Sequence, residues 1–148
     1  IAAGTDTATF GAAISGVLNA YKLDISEAAR VSDVFFTTVN KGVVSGAELA
    51  QGLGVVTASA KAAGVGFEEA MTMVIGVTKE GGPAAQNLNN LANLLNKIVT
   101  TESRKEIEKL GVSTETTTGK LRPVLDVLRD MKGELDKMSE SARATALM

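Results

Sequence analysis

The chain has no cysteine, histidine or tryptophan, and its whole aromatic content is four phenylalanines and one tyrosine. Without cysteine there are no disulfides, thiolate metal sites or cysteine nucleophiles, and the redox compartment is left undetermined. Without histidine as well, most transition-metal sites and the usual catalytic dyads and triads are excluded, and only carboxylate, Lys, Tyr or Ser chemistry is left. An excess of charge of one sign is also missing: 15 Lys and Arg stand against 17 Asp and Glu, a formal charge of -2. Such a balance provides no general field toward nucleic acid or an anionic membrane. The uncharged run Thr7 to Tyr21 is shorter than the ~20 apolar residues of a spanning helix. It is interrupted by Thr, Ser, Asn and Gly and lacks the basic start of a signal peptide.

At 148 residues the chain has the length of one domain and can bury a sizeable core. It opens on Ile1 and stops at Met148 within a helical pattern, so it reads as an excerpt, 1–148, of a longer protein. The apolar residues are chiefly Ala, Val, Leu and Gly. Small side chains let helices pack closely but contribute less burial per residue than aromatic ones, so modest stability is expected.

The organising stretch runs from Ser45 to Gly111 and centres on the breaker Glu80-Gly81-Gly82-Pro83. Before it, Phe67, Ala70, Met71, Val74, Ile75 and Thr78 recur at helical spacing, and after it Leu88, Leu91, Leu94, Leu95 and Ile98 do the same. Such a stripe lets a helix bury one face. Gly81-Gly82 ends the first helix, and Pro83 at the first position of the second loses no hydrogen bond, so a helical hairpin is predicted.

The remaining elements follow from periodicity and caps. A first helix over 7–20 carries Phe10, Ile14, Val17, Leu18 and Tyr21 on one face, with Thr5 or Asp6 as N-cap. A second, over 26–40, is capped by Asp24 or Ser26 and buries Ala28, Val31, Val34, Phe35 and Val39; its Thr37-Thr38-Val39 end is a weak helix former. Ser45-Gly-Ala-Glu48 matches a capping box and opens a third helix over 46–63, with Leu49, Leu53, Val56, Ala60 and Ala63 inward. Gly52 and Gly54 in its interior cost roughly 1 kcal/mol each relative to Ala, which points to close helix contact. After Gly64-Val65-Gly66, Glu68-Glu69 open a helix over 67–80, where carboxylates suit the positive end of the macrodipole. The second arm of the hairpin spans 83–99. A short charged helix over 102–110 ends at Gly111, and 112–119 reads as an extended loop or rudimentary strand. A helix over 122–138 carries the seam Val124, Leu128, Met131, Leu135 and Met138, and Ser139-Glu140 cap a last one over 140–148. The sum is an all-α fold of seven to eight short helices with antiparallel hairpins.

Each candidate site has a plainer reading that fits better. Gly64-x-Gly66-x-x-x-Ala70 lacks the Lys-Ser/Thr ending of a phosphate loop, follows a helix and places Glu68 and Glu69 where phosphate would sit, so it is a helix-to-helix turn. Gly42-x-x-x-Gly46 is a turn rather than a packing motif. Asp126, Asp130 and Glu134 lie on one helical face, but Arg129, Lys132 and Lys137 among them make it a salt-bridged, solvated face. Arg104, Lys105, Lys109, Lys120 and Arg122 are mixed with Glu102, Glu106 and Glu108 and have no aromatic for base stacking, so specific nucleic-acid binding is not expected. Tyr21 has no neighbour to lower its pKa. No catalytic, cofactor or metal residue is assigned, no cofactor is expected, and an enzyme is not indicated.

Several segments in order resemble the core region of the phage tail tape measure family. They are Ala29-Arg-Val-Ser-Asp33-Val-Phe, Ser45-Gly-Ala-Glu-Leu-Ala50, the run Ala58 to Ala70, Gly81-Gly-Pro-Ala-Ala85, Lys109-Leu-Gly-Val112, Gly119-Lys-Leu-Arg, Leu125-Asp-Val-Leu128 and Leu135-Asp-Lys-Met-Ser139. The resemblance covers nearly everything after the first helix and departs at Pro83 to Asn87 and at Thr116 to Thr118. It implies a structural module of a tape measure protein of a bacteriophage or prophage, acting in tail assembly, length determination and genome delivery through the host envelope. The implied locations are the tail lumen and, during assembly, the host cytoplasm. The implied partners are tail tube, tail-tip or baseplate proteins and tail assembly chaperones, with host envelope contact through the full-length protein and self-association left open. The alternative from another class is a helical partner-binding or chaperone-like adaptor of a bacterial system.

Overall fold

The computed structural model describes residues 6–146. Among them are eight α-helices and one 3-10 turn, and no β-strand beyond an isolated bridge. The helices are α1 Thr7–Tyr21, α2 Ala28–Lys41, α3 Gly46–Ala62, α4 Phe67–Lys79, α5 Ala84–Ile98, α6 Thr101–Lys109, α7 Val124–Asp136 and α8 Glu140–Ala146. The chain divides into two compact units whose boundary falls between Asn96 and Lys97, inside α5.

The caps explain where the first helices begin. Asp6 accepts from Thr9 N at 2.9 Å at the start of α1; Thr5, the other expected cap, lies outside the described residues. Asp24 caps the 3-10 turn Ile25–Glu27, accepting from Ser26 N at 2.9 Å, and α2 proper begins at Ala28. The second expected helix thus starts as a tighter turn. At Ser45 the capping box forms in full: Ser45 N donates to Glu48 Oε2 at 2.9 Å and Glu48 N donates to Ser45 Oγ at 3.2 Å, so two otherwise orphaned donors are satisfied. The breaker acts as expected, with Gly81 and Gly82 at φ of 93° and 84°, a region costly for any side chain. Pro83 stands just before α5 and not in its first turn, and its carbonyl accepts from Asn87 N at 3.1 Å.

In the first unit α1 packs on α2 and α3, and α4 packs on α2 and α3. Phe35, Leu49, Leu53, Met71, Leu88 and Leu95 are fully buried. Phe10 meets Phe35 edge-on and Phe36 in a stacked arrangement, each with centroids 5.2 Å apart, so most of the scarce aromatic surface is concentrated where α1 crosses α2. The doubtful end of α2 is helical to Lys41. Thr38 is buried there, where the expectation had Val39; Thr38 Oγ1 donates to Val34 O at 2.8 Å, which removes the cost of burying a hydroxyl. Val34, Val39 and Ala63 are half-buried.

Gly52 and Gly54 differ. A Cβ on Gly52 would run into Leu88 Cδ1, whereas one on Gly54 meets nothing within 4 Å. Close helix contact accounts for the first glycine only, because the two positions face opposite sides of α3.

In the second unit, Gly111 ends α6 and the chain doubles back through 112–122. Thr116 N donates to Lys120 O at 2.7 Å, Arg122 N donates to Thr114 O at 3.0 Å, and Glu115 and Leu121 form an antiparallel bridge. The expected rudimentary strand is this small hairpin. The expected helix over 122–138 is the shorter α7, on which Val124 and Val127 are buried and Leu128, Met131 and Leu135 half-buried; Met138, the last residue of the expected seam, lies beyond its end and is half-buried. Ser139 Oγ accepts from Ala142 N at 3.3 Å and caps α8; residues 147–148, where that helix was expected to end, lie outside the described residues.

Candidate functional site

The carboxylates of α7 are one turn apart on the helix, but each is engaged by its own cation. Asp126 pairs with Arg129 at 3.0 Å, Asp130 with Arg122 at 2.7 Å and Glu134 with Lys137 at 2.7 Å. A carboxylate held this way is not available to share a proton or a metal with its neighbour, and the face is the salt-bridged surface that the interleaved charges imply. Among the described residues no group of three or more His, Cys, Asp and Glu can hold a metal ion.

Three of the five cations of the basic stretch are engaged within the chain. Arg104 reaches Glu115 at 3.0 Å, Lys109 reaches Glu106 at 2.6 Å, and Arg122 donates to Ser113 O at 2.7 Å besides pairing with Asp130. A row of phosphates would have to displace these internal partners one by one.

The Gly64-Val65-Gly66 loop is closed from within. Glu69 Oε2 accepts from Gly66 N at 3.2 Å, so a side chain of α4 already occupies the donor that an anion would seek. Glu68 pairs with Arg30 of α2, which ties α4 to α2 and explains two acidic residues in one first turn. Gly42 caps α2 and Gly46 opens α3, as expected of a turn. A Cβ at Gly42 would lie 2.9 Å from Thr38 O and 3.0 Å from Thr78 Oγ1, so this turn also marks a close approach that the spacing alone did not reveal.

Tyr21 is a structural tether. Its hydroxyl donates to Val65 O at 3.0 Å, its ring meets Phe67 at 6.1 Å edge-on, and Lys61 Nζ stands 5.4 Å over the ring. Burial, with the nearby Glu69 charge as a second cause, raises its pKa to about 12. A phenol held neutral in this way is a donor and not a base.

Two concave surfaces among the described residues bear on a site. An open groove of about 430 Å³ runs along α1 and α3, lined by small uncharged residues such as Ala12, Ala13, Gly16, Ala50 and Gly54. In the second unit, a polar cleft of about 440 Å³ lies beside Gly111 to Ser113 and is lined by Arg122, Arg129, Asp130, Glu134 and Lys137. Neither brings together a nucleophile, a base and an oxyanion donor, the minimum for acyl or phosphoryl chemistry. No helix among the described residues is long and apolar enough to cross a membrane.

These features define a class: an all-α structural module that presents surfaces and holds no reactive cluster. Along residues 1–148 the sequence matches the family of phage-related minor tail proteins, and the chain belongs to that family. It is similar to a probable tape measure protein of Clostridium phage phiCD119, 45% identical over 65 residues that make up 44% of this chain and 7% of that protein. It is also similar to a probable tape measure protein of Escherichia phage P2, 27% identical over 128 residues, 85% of this chain and 16% of that protein. The chain thus spans a small part of the length of the curated relatives it matches. No solved structure matches it. Membership gives this chain a structural role in the virion tail.

Proposed function

We propose that this chain is a folded module of a tape measure protein, contributing to tail assembly and length determination and later to genome delivery through the host envelope. The observation that carries this reading is the similarity to the probable tape measure protein of phage P2, which extends along 85% of the chain. A ruler needs length per residue, and helix supplies ~1.5 Å of it with its backbone hydrogen bonds satisfied internally. The longest helix here, α3, has 17 residues, about 26 Å at that rise, and its neighbours pack across it. The module therefore contributes a folded body, and extended helical segments elsewhere in the parent protein supply the measuring length.

In this reading residues 1–148 act as one domain that works through its surfaces, with no catalytic, metal or cofactor residue. It resides in the tail lumen after assembly in the host cytoplasm. Its partners are tail tube, tail-tip or baseplate proteins and tail assembly chaperones, with envelope contact made through the full-length protein and no specific nucleic acid.

The test is to delete or duplicate extended helical segments of the parent gene and measure tail lengths by electron microscopy. Lengths that shift in proportion to the segment support the ruler role, and unchanged tails refute it. Removing this module alone is expected to lower tail yield or infectivity; normal values of both would refute its part in assembly and delivery.

A further inference from the structure

The connection between α6 and α7 is held chiefly by polar contacts. Of residues 111–122 only Val112 and Thr114 are buried, and the tip from Glu115 to Leu121 is exposed. The segment is held down by polar contacts along its length. Thr114 Oγ1 donates to Glu108 Oε1 at 2.8 Å, and Glu115 takes Arg104 of α6 at 3.0 Å. At the other end Arg122 spans Ser113 O and Asp130 of α7, at 2.7 Å each. The clamp on α6 is incomplete, since Arg104 Nε is buried without a hydrogen-bond partner. Leaving a buried donor unsatisfied disfavours the docked arrangement.

We propose that residues 111–122 form a charge-held strap that undocks from α6 and α7 as ionic strength rises, while both helices remain folded. The physical basis is the balance between its two kinds of contact. Two side chains of the strap are buried, so little apolar area resists release. Partly exposed ion pairs are weakened by salt, because the Debye length falls from about 10 Å at 0.1 M to about 3 Å at 1 M. In the undocked state α6 and α7 are joined by a flexible segment, so the distance between them is no longer fixed by Arg104 and Arg122. The strap goes beyond the proposed function and does not depend on it. For a tail component that changes shape between assembly and delivery, it is an element that can be released with the buried core of the first unit intact.

The test is hydrogen exchange read by mass spectrometry on the full chain in sodium chloride. Peptides covering 112–122 are expected to exchange about threefold faster or more at about 1 M than at about 0.1 M salt, while peptides of α6 and α7, like those of α3 and α4, stay unchanged. Glu115→Gln combined with Asp130→Asn is expected to give fast strap exchange at both salt levels, and the charge swap Arg104→Glu with Glu115→Arg to restore part of the salt dependence. Strap exchange that does not respond to salt in the unmodified chain, or that changes only together with α6 and α7, overturns the proposal. The unmodified chain decides the outcome even if a variant fails to fold. Because this readout concerns the strap alone, it is separate from the tail-length test of the ruler role.

Discussion

Gly52 of α3 lies against Leu88 of α5 so closely that a Cβ on Gly52 would overlap Leu88 Cδ1 and stand 3.3 Å from Leu88 Cβ. Two effects compete in Gly52→Ala: roughly 1 kcal/mol of helix propensity is gained, and overpacking costs about 1–3 kcal/mol. The expected net result is a loss of about 1 kcal/mol in chemical denaturation. Gly54→Ala, which meets nothing within 4 Å, is expected to gain up to about 1 kcal/mol. In a double-mutant cycle Gly52→Ala and Leu88→Ala should be non-additive, since the second substitution removes the atom the first collides with. Equal effects at positions 52 and 54 would show that the contact carries no weight.

Tyr21 is the only tyrosine and there is no tryptophan, so the absorbance change on phenolate formation reports this residue alone. Its pKa is raised from 10.0 to about 12, mainly by burial. The sign follows: because the folded state holds the proton more tightly, the contribution is complete below pH 10 and is lost as pH rises through about 12. A titration midpoint near 12 in the folded chain and near 10 in urea is expected. Tyr21→Phe, which leaves Val65 O without this donor, should cost about 1 kcal/mol.

The Ser45–Glu48 box makes an acid-side prediction. The Ser45 hydroxyl, and after it the Ser45 backbone N–H, hold the Glu48 carboxyl below its ordinary 4.5. A lowered pKa gives stability that is present above 4.5 and lost as pH falls through the lowered value. Ser45→Ala is expected to cost about 1 kcal/mol at neutral pH, and the gap between the thermal melts of the variant and the parent should narrow in acid, with the share of the Glu48 N to Ser45 Oγ bond left. A constant gap from neutral to acid pH would remove Glu48 from the account.

Lys22 is the one non-glycine residue with positive φ among the described residues, at 54°. It closes α1, with Leu23 N donating to Leu18 O at 2.8 Å, the long return bond of a Schellman motif. A side chain in this conformation costs about 1 kcal/mol, and glycine relieves most of it. Lys22→Gly is therefore expected to raise the melting temperature, whereas Lys22→Ala, which retains the Cβ, is not.

Much of this fold was legible in the residues, because the signals involved are local. The capping box at Ser45, the cap at Asp6, the stop at Gly81-Gly82 and the stripes of α4 and α5 depend on atoms within a turn or two of each other, although Leu94 of the expected α5 stripe is exposed. The exclusion of histidine and cysteine chemistry was equally legible, since it followed from missing residue types. The threonines were harder to read. Thr38 and Thr57 are buried with their hydroxyls satisfied by Val34 O and Leu53 O on their own helices, so a residue type that reads as a weak helix former belongs to the core.

What the sequence alone determined is the set of helices, their caps and breaks, and the exclusion of histidine and cysteine chemistry, all consequences of backbone preference, hydrophobic period and composition. The tertiary structure alone decided that Gly52 but not Gly54 marks a close contact, that Val127 joins Val124 as a buried residue of α7, and that the boundary between the two units falls within α5. It also decided which cation each carboxylate of α7 engages. These outcomes depend on which side chains from distant parts of the chain arrive at the same place, and spacing along a single helix carries no record of that.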